Sequence, residues 1–358
     1  MKQTVKLGSR TISPHGMPYV IAEIGVNHGG SLDLAKHLID LAKAGGADAA
    51  KFQSYKADTL ASKNSPSYWD TTKESTRSQH DLFKKYDNFG PEEYKILAQH
   101  CKSVEIDFLS TPFDDAAIEF LDELTPFFKI ASADITNIPF LRKVAKKGKV
   151  VILSTGASTL SEIDLALDTL NSNGCREIIL LHCILNYPTK NFDANLRMIQ
   201  GLMRTYPDYY IGYSDHTMPD EVMSSLVIAH LLGATVIEKH FTYDKSLTGN
   251  DHYHAMDVND LKKFIEMVRK THDLLGNKDH KQPLPSEEIS RKNARRSIVL
   301  QSNLLEGHIL TEKDLTYKRP GTGISPIHWD QVVGMRLVES LKEDHILSWR
   351  DIEPAVNK

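Results

Sequence analysis

The sequence predicts a (β/α)8 TIM barrel, because short apolar runs alternate with segments of helical spacing along the first 242 residues. The runs have the length of buried strands. Nearly every one ends in a residue that can bind a ligand, donate a hydrogen bond or ionise. Eight runs fit this description: YVIAEIGVN from Tyr19, AAKFQS from Ala49, IDFLSTPF from Ile106, FFKIAS from Phe127, VVILSTG from Val150, IILLHC from Ile178, YYIGYSDHT from Tyr209 and TVIEKHFT from Thr235. In such a barrel, the reactive residues gather at the carboxyl ends of the strands.

Segments with helical spacing separate these runs. Their apolar residues recur three and four positions apart, which is the spacing that buries one face of a helix. The clearest segments cover residues 31–46, 114–124, 161–174 and 219–233, and a further helix is predicted over 258–276. Strand and helix therefore alternate throughout this part of the chain.

The chain is longer than a barrel needs. Its 358 residues exceed a barrel of typical size by roughly 80 to 100 residues. After the last helical segment the sequence becomes polar, with two prolines, and then turns into short β-like pieces. We predict a catalytic barrel over 1–278, a linker over 279–295 and a small, mostly β domain over 296–358. A module of about 60 residues is near the lower limit for folding alone, so we expect it to lean on another surface.

Charge and composition exclude several classes of protein. The 43 Lys and Arg residues stand against 47 Asp and Glu, a net charge of −4, which does not suit a nucleic-acid-binding surface. The three cysteines have no CxxC spacing and an odd count, which fits a reducing compartment: Cys101, Cys175 and Cys183. The first residues have no apolar signal segment, and no stretch approaches the roughly 18 apolar residues of a membrane span. The sequence predicts a soluble, cytoplasmic protein with no membrane partner.

Strand alternation predicts which side chains share the interior of the barrel, because residues two apart point the same way. Near the carboxyl ends the inward set is Glu23, Gly25 and Asn27 on the first strand, Lys51 and Gln53 on the second, Leu109 and Thr111 on the third, Ile152 and Ser154 on the fifth, Gly212, Ser214 and His216 on the seventh, and Glu238 and His240 on the eighth. Buried unpaired charges are costly. A single lysine or serine at a strand end is more often merely solvated, but their coincidence on one rim predicts a ligand site.

Two imidazoles on adjacent strands predict a metal site. His216 in SDHT and His240 in EKHF both lie at strand ends that face the same pocket of the predicted barrel. Neutral imidazole is a common ligand of Mn²⁺, Fe²⁺, Co²⁺ and Zn²⁺, and two of them leave positions for water and substrate. His252 and His254, in an i, i+2 relation, offer a local alternative, since they could hold a metal or simply line a loop.

Ammonium and hydroxyl groups on the same rim predict an anion site. Lys51 and Lys129 supply two positive charges, and the turn 154–156 supplies backbone amides. The hydroxyls come from Thr111, Ser132, Ser154 and Ser214. Such a set fits a phosphate and a carboxylate on one small molecule. Neither a Walker loop nor a GxGxxG motif follows the first strand, so a small phosphorylated acid is favoured over a nucleotide.

Nine ordered blocks resemble the sialic acid synthase family, which includes the N-acetylneuraminate, legionaminate and pseudaminate synthases. They are AEIGVNHGGS, KFQS, FLSTPFD, FKIAS, ILSTGAS, LLHC…NYPT, GYSDHT, EKHFT and YKRPGTG. The resemblance covers essentially the whole chain and implies a barrel followed by a C-terminal antifreeze-like (SAF) domain. It implies that the enzyme condenses phosphoenolpyruvate with an open-chain N-acyl hexosamine, giving a nine-carbon 2-keto acid and phosphate.

The resemblance also implies a role for each site residue. It implies that His216 and His240 bind a divalent metal, with Mn²⁺ first and Co²⁺ or Mg²⁺ as alternatives, and that Glu23 holds the reactive water. Glu23, Lys51 and Lys129 are the implied catalytic residues. The implied phosphoenolpyruvate contacts are Lys51, Gln53, Thr111, Lys129, Ser132, Ser154, Tyr187 and Ser214. Asp251 is implied to contact the acceptor's hydroxyls, and Arg319 of the partner subunit to reach its N-acyl group, which makes the enzyme a domain-swapped homodimer.

One departure from the family pattern lies near the acceptor. Neuraminate synthases often carry Thr-Asn before the tyrosine of YPT, whereas Ile184, Leu185 and Asn186 occupy this stretch here. Asn186, now beside Tyr187, is the amide that we expect to contact the sugar instead. The acceptor stays open between N-acetylmannosamine, a 2,4-diacetamido-6-deoxyhexose and a related sugar.

Two other functions compete with this one. Lys51 or Lys129 could form a Schiff base, as in an aldolase of the lyase class on the same fold. The chain could also be an inactive carbohydrate-binding or ice-binding protein that keeps the C-terminal module. The retention of Glu23, His216 and His240 with both lysines favours the enzyme.

Overall fold

The computed structural model describes residues 4–14, 16–69, 71–72, 74–175, 177–249 and 251–355. The chain forms two compact units, and the division falls between Gly276 and Asn277. The predicted bounds of the barrel and of the small domain begin at residue 1 and end at residue 358, both of which lie outside the described residues. Each unit is described separately below.

The first unit opens with a β-hairpin that the sequence did not predict. Strands β1 (Val5–Leu7) and β2 (Arg10–Ile12) pair antiparallel. Their apolar side chains Val5, Leu7 and Ile12 are buried and join the cluster that fills the interior of the following sheet. The hairpin therefore belongs to the barrel core, close to the amino ends of the strands.

Eight parallel strands follow: β3 (Tyr19–Gly25), β4 (Ala49–Ser54), β5 (Asp107–Pro112), β6 (Phe128–Ile130), β7 (Val151–Ser154), β8 (Ile178–Cys183), β9 (Tyr210–Asp215) and β10 (Val236–His240). Their order in the sheet is β5-β4-β3-β10-β9-β8-β7-β6. The two outer strands of this order, β5 and β6, lie next to each other, so the sheet curves round into a barrel. The predicted fold class is confirmed.

Eight helices cover the outer face of the sheet: α1 (Leu32–Gly45), α4 (Pro91–Ser103), α5 (Asp115–Leu124), α6 (Ile138–Ala145), α7 (Leu160–Ser172), α8 (Arg197–Thr205), α9 (Ser224–Leu231) and α10 (Val258–Leu275). Two further helices, α2 (Ala57–Leu60) and α3 (Gln79–Tyr86), lie in the connection between β4 and α4. Several begin at a side chain that accepts a backbone amide hydrogen of the first turn: Ser31, Asp114, Thr159 and Asp257. Among the described residues, none of the helices combines the length and apolar composition that crossing a bilayer requires.

The helix predicted over 219–233 is shorter in the structure. The Asp220 carboxylate accepts the backbone amide hydrogens of Val222 and Ser224, and Met223 has a positive φ of 56°. These features form a turn that keeps residues 219–223 out of the helix, so α9 begins only at Ser224. An aspartate that bonds the backbone two and four residues ahead competes with helix formation.

The second unit is small and mostly β, as predicted. After a polar stretch that contains the exposed helix α11 (Glu288–Ala294), it forms two antiparallel pairs and a short helix: β11 (Ser297–Leu300) with β12 (Leu315–Lys318), α12 (Trp329–Val332), and β13 (Met335–Leu337) with β14 (Ile352–Pro354). A separate apolar cluster that includes Ile298, Leu310 and Leu337 is its core.

Candidate active site

The interior of the barrel changes from apolar to polar along each strand. Lower positions form the inner core cluster, which includes Ile21, Ala49, Leu109, Phe127, Ile152 and Val236. The residue two positions further along each of these strands is polar: Glu23, Lys51, Thr111, Lys129, Ser154 and Glu238. These six side chains line one cavity of about 70 Å³. The period of two along each strand thus places the chemistry on top of the core.

Glu23 stands at the centre of a buried polar cluster. Its carboxylate lies 2.5 Å from the ammonium group of Lys51, and it accepts a hydrogen bond of 2.9 Å from the Gln53 amide. Lys51 also donates to the Thr111 hydroxyl at 3.1 Å. Glu23 and Lys51 are only 2% and 3% exposed, so the ion pair is almost completely desolvated.

Lys129 forms a second cationic centre on the same wall. Its ammonium group donates to the Ser154 hydroxyl at 2.7 Å. Glu238 joins the two centres, because its carboxylate lies 3.7 Å from the ammonium groups of both Lys51 and Lys129. It also accepts a hydrogen bond of 3.1 Å from Ser214. The predicted site residues did not include Glu238, although its position two residues before His240 on β10 puts it on the inward face.

Burial and charge shift the ionisation of these groups. Burial raises the pKa of Glu23 to about 7, with a further contribution from Glu238 and an opposing one from Lys51. Burial alone would lower the pKa of Lys51, but the carboxylates of Glu23 and Glu238 outweigh it and raise that pKa. Burial lowers the pKa of Lys129 despite the nearby Glu238. Groups whose pKa values are moved in this way are common at active sites.

Ser132 and Tyr187 complete the small cavity. The Ser132 hydroxyl accepts a hydrogen bond of 2.8 Å from the backbone amide of Gly156, which fixes the turn after β7. The structure thus brings together all eight residues predicted to contact phosphoenolpyruvate. Their roles as ligands stay predictions.

The two predicted metal-binding histidines also line this cavity, with their rings close together. The ring centroids of His216 and His240 are 5.4 Å apart, and the ring of Tyr187 lies 4.1 Å from that of His216. The backbone carbonyl of Ile184 lies 2.8 Å from Nδ1 of His216, which leaves Nε2 for another partner. Burial lowers the pKa of His216 to about 4 and that of His240 well below its ordinary value. Both rings are therefore held neutral, which is the form that binds metals.

The loop after β10 adds two further candidate ligands. Asp251 lies between His240 and His254, with carboxylate-to-ring distances of 3.6 Å and 3.8 Å. One ligand atom from each of these three residues lies within 4.8 Å of the others. Within the described part of the chain, Nδ1 of His240 and both ring nitrogens of His254 are buried without a hydrogen-bond partner. Unpartnered buried nitrogens beside a carboxylate are what a divalent transition metal requires, so the site fits such an ion.

The two loop histidines, left open by the sequence, have different environments. His254 is fully buried, and its ring centroid lies 4.9 Å from that of His240. His252 instead places Nδ1 2.8 Å from the Thr242 hydroxyl. Only His254 therefore joins the candidate metal ligands.

A larger cavity of about 760 Å³ adjoins the small one. Gln53, Ser132, Tyr187 and His240 line both cavities. Aromatic rings from the segment between β4 and α4 form much of the wall: Tyr55, Tyr68, Trp69, Phe83 and Tyr86. The sequence did not predict this wall, because the segment has no strand or helix periodicity that would place it.

The three predicted acceptor contacts differ in position. Asp251 lines the larger cavity. Asn186 is exposed and lines neither cavity, whereas its neighbour Leu185 lines the larger one. The reason is local: the Asn186 backbone carbonyl accepts a hydrogen bond of 3.0 Å from the Thr189 hydroxyl across the bend at residues 187–188. Arg319 follows β12 in the second unit and is exposed there.

Comparison with known proteins agrees with this architecture. The NeuB family model matches residues 38–280, and the SAF domain model matches residues 295–353. The chain is 39% identical to the N,N'-diacetyllegionaminic acid synthase of Legionella pneumophila over 352 residues, which are 96% of this chain and 97% of that protein. It is 35% identical to human N-acetylneuraminate-9-phosphate synthase over 331 residues, which are 91% and 90% of the two chains.

A solved structure shares the same fold. The crystal structure of N-acetylneuraminic acid (sialic acid) synthetase from Leptospira borgpetersenii serovar Hardjo-bovis, in complex with citrate, superposes with a TM-score of 0.71 at 35% identity. The match covers 81% of this chain and 95% of that one. Since the family model spans most of the barrel and the relatives align along nearly the whole chain, this protein belongs to the NeuB family and carries a SAF domain.

Proposed function

We propose that the barrel condenses phosphoenolpyruvate with the open-chain form of an N-acyl hexosamine and water, giving a sialic acid-type 2-keto acid and phosphate. The observation that carries this proposal is the pair of buried lysines, Lys51 and Lys129, held around Glu238 in a cavity that also contains Glu23. A small dianionic or trianionic acid suits two desolvated ammonium groups and the hydroxyls beside them. The names of the relatives support the same reaction class.

The proposed mechanism assigns separate tasks to the side chains. Lys51, Lys129 and the neighbouring hydroxyls hold the carboxylate and phosphate of phosphoenolpyruvate, so that C3 faces the aldehyde carbon of the acceptor. The C3–C1 bond forms as the enol π electrons move to the aldehyde, whose oxygen takes up a proton. Glu23 positions a water molecule and accepts its proton as the water oxygen adds to C2. The C2–O bond to the phosphoryl group then breaks, and phosphate leaves with that oxygen and with the proton of the C2 hydroxyl, which becomes the 2-keto group. The proton held by Glu23 is the one that the aldehyde oxygen takes up.

A divalent metal fits His240, Asp251 and His254, and the unpartnered ring nitrogens of His240 and His254 support this assignment. When bound, it would supply Lewis acidity toward the aldehyde oxygen of the acceptor. The imidazole of His240 and the phenol ring of Tyr187 line both cavities, so they border the position where the two substrates meet. These residues exclude water from that position and restrict the orientation of the aldehyde.

The lining of the larger cavity favours an acceptor without a phosphate group. Among the described residues that line it, none is a lysine or an arginine, and two are acidic, Asp134 and Asp251. A sugar phosphate placed there would find no lysine or arginine side chain in the cavity wall to balance its charge. Aromatic rings suit the methyl groups of N-acetyl and 6-deoxy substituents instead. N-Acetylmannosamine or a 2,4-diacetamido-6-deoxyhexose therefore fits better than a hexosamine phosphate.

A panel of acceptor sugars tests both the proposed condensation and the proposed preference for an acceptor without a phosphate group. We would measure phosphate release from phosphoenolpyruvate with Mn²⁺ and N-acetylmannosamine, its 6-phosphate or a 2,4-diacetamido-2,4,6-trideoxyhexose, and identify each keto acid by mass. We expect release with a neutral sugar and a much lower kcat/KM with the 6-phosphate. A preference for the 6-phosphate would overturn the acceptor assignment. No release with any acceptor would overturn the condensation, and reduction of pyruvate onto a lysine by borohydride would identify the aldolase instead.

The resemblance to the sialic acid synthase family supports an active site shared between two subunits, and we include this arrangement in the proposal. Arg319 is exposed in its own unit and has no ion pair with any described residue. An exposed guanidinium is free to form a charge-assisted hydrogen bond with an acyl carbonyl. In the proposed homodimer, Arg319 of the partner subunit makes this contact with the acceptor.

A further inference from the structure

We propose that Asp251 and His254 are metal ligands, so that the loop after β10 holds the ion together with the histidine at the strand end. Together with His240, these residues supply two imidazole nitrogens and one carboxylate oxygen. It would give the protein a tight site for Co²⁺, Zn²⁺, Fe²⁺ or Mn²⁺ that discriminates against Mg²⁺, because imidazole suits those metals and Mg²⁺ prefers an all-oxygen shell. The inference extends the proposed function but is tested by metal binding rather than turnover.

The loop that carries both residues is fixed to the barrel at two points. At its start, the Asn27 side-chain amide donates to the backbone carbonyls of Phe241 and Asp251, at 3.0 Å and 3.3 Å. At its end, Met256 donates its backbone amide hydrogen to the His240 carbonyl at 2.8 Å and accepts one from Thr242 at 2.9 Å. The loop is therefore held against the end of β10, and the position of His254 follows from backbone contacts rather than from its own ring.

The burial of His254 requires an explanation. Its side chain is fully buried, and neither ring nitrogen has a hydrogen-bond partner among the described residues. Each unsatisfied buried polar group costs about 1–3 kcal/mol. The nearest charged group is the Asp251 carboxylate at 3.8 Å, which is too far for a hydrogen bond. A metal ion held by the Asp251 carboxylate would give one ring nitrogen of His254 a partner.

The spacing of the donor atoms agrees with a shared ion. Ligand atoms about 2.0–2.2 Å from one metal lie about 3–4 Å from each other. The distances from Asp251 to His240 and to His254 are 3.6 Å and 3.8 Å, and the three donors lie within 4.8 Å of one another. A small decrease in these distances would therefore bring all three donor atoms within reach of one metal ion. His216, whose ring lies 5.4 Å from that of His240, is the nearest further imidazole.

Packing is the alternative explanation, because the ring of His254 also lies 5.2 Å from that of Tyr253 and 5.8 Å from that of Tyr187. The substitution His254→Phe separates the two explanations. Phenylalanine keeps an aromatic ring at this position and removes both nitrogens. The matched control is His252→Ala, which removes the other imidazole of the same loop, the one that lies beside Thr242.

The experiment measures metal affinity on the full-length chain after removal of metal by chelation. Co²⁺ and Mn²⁺ dissociation constants are obtained by competition with a chelating dye, and the visible absorption of the Co²⁺ form is recorded. We expect His254→Phe and Asp251→Asn to weaken Co²⁺ binding about tenfold or more and to change the Co²⁺ spectrum. We expect His252→Ala to bind Co²⁺ as the unmodified chain does, and excess Mg²⁺ not to displace Co²⁺ from that chain.

Two results would overturn the inference. One is a Co²⁺ affinity of His254→Phe within twofold of the unmodified chain, with the same spectrum. The other is an equal loss in His254→Phe and His252→Ala, which would trace the effect to the loop rather than to a ligand. Thermal unfolding without metal shows whether each variant is folded. His254→Gln, which keeps a polar side chain, replaces His254→Phe if the latter does not fold, and the same two outcomes apply to it.

Discussion

The surroundings of Glu23 raise the pKa of its carboxyl group, so that the group changes protonation near neutral pH. It is buried next to a lysine on one side and is influenced by a second carboxylate, Glu238, on the other. Burial and the second carboxylate favour the neutral form, and Lys51 favours the charged form. A group balanced in this way can accept a proton from water and release it again within one turnover.

Glu23→Gln tests this role. The amide has nearly the same shape but carries no charge and accepts no proton, so we expect kcat for phosphate release to fall by about 10²-fold or more. Phosphoenolpyruvate affinity, measured by calorimetry, should fall much less, because the ammonium groups of Lys51 and Lys129 remain. Near-normal turnover would show that Glu23 only supports the structure.

The raised pKa of Glu23 predicts a pH dependence. In the proposed mechanism the carboxylate is the active form, so kcat/KM should decline as the pH falls below about 7, the pKa that burial gives this group. Phosphoenolpyruvate binding measured over the same pH range separates ionisation of the substrate from that of the enzyme. The residual activity of Glu23→Gln should not show this acidic limb. A limb of the same midpoint in the variant would assign it to another group.

At the level of elements, close packing between strands determines where a side chain is tolerated. Gly212 lies on β9, and a Cβ atom there would approach a methyl carbon of Leu181 and the backbone carbonyl of Val236 to 2.5 Å each. The Val236 carbonyl belongs to the backbone of β10 and cannot move without disturbing that strand. The absence of a side chain at this position therefore allows the strands to pack at their observed separation.

Gly212→Ala should consequently destabilise the barrel, by about 1–3 kcal/mol for overpacking. The matched control is Gly201→Ala in α8, where no atom lies within 4 Å of the added Cβ. There the substitution should stabilise by about 0.5–1 kcal/mol, because alanine loses less conformational entropy in a helix than glycine does. Chemical unfolding measures both, and effects of the same sign would contradict the packing argument.

Local periodicity explains which elements could be predicted. Alternation with a period of two predicted that Glu23, Lys51 and Thr111 share the inner face, because successive side chains of a strand point to opposite faces of the sheet. The same rule extends to Glu238. The hairpin β1–β2 was missed, since strands of three residues carry too little pattern.

The positions of loop residues could not be predicted in this way, because the loops have no periodic pattern. His254 and the aromatic wall between β4 and α4 depend on contacts between segments far apart in the sequence, such as the hydrogen bonds from Asn27 to Phe241 and Asp251. Asn186 lines neither cavity for a local reason instead, since its backbone carbonyl is hydrogen-bonded to the Thr189 hydroxyl. The roles of the site residues stay predictions until they are measured.

At the level of the whole molecule, the proposed shared site makes a prediction about mixed dimers. His240→Ala and Arg319→Ala should each be nearly inactive as homodimers. When the two variants are refolded together, a mixed dimer has one site with both changes and one intact site. Random pairing makes about half of the dimers mixed, so about a quarter of the activity should return. No recovery would mean that Arg319 serves its own barrel or none.

The two adjoining cavities have a kinetic consequence. The small one lies on the apolar core that the hairpin β1–β2 joins, and the larger one borders it on the side of His240 and Tyr187. With the proposed substrates, we expect a sugar in the larger cavity to hinder access to the lysines, so that phosphoenolpyruvate enters first. We expect phosphate, released beside Lys51 and Lys129, to leave last. The enzyme should follow an ordered sequence in which phosphate inhibits competitively with phosphoenolpyruvate but not with the sugar.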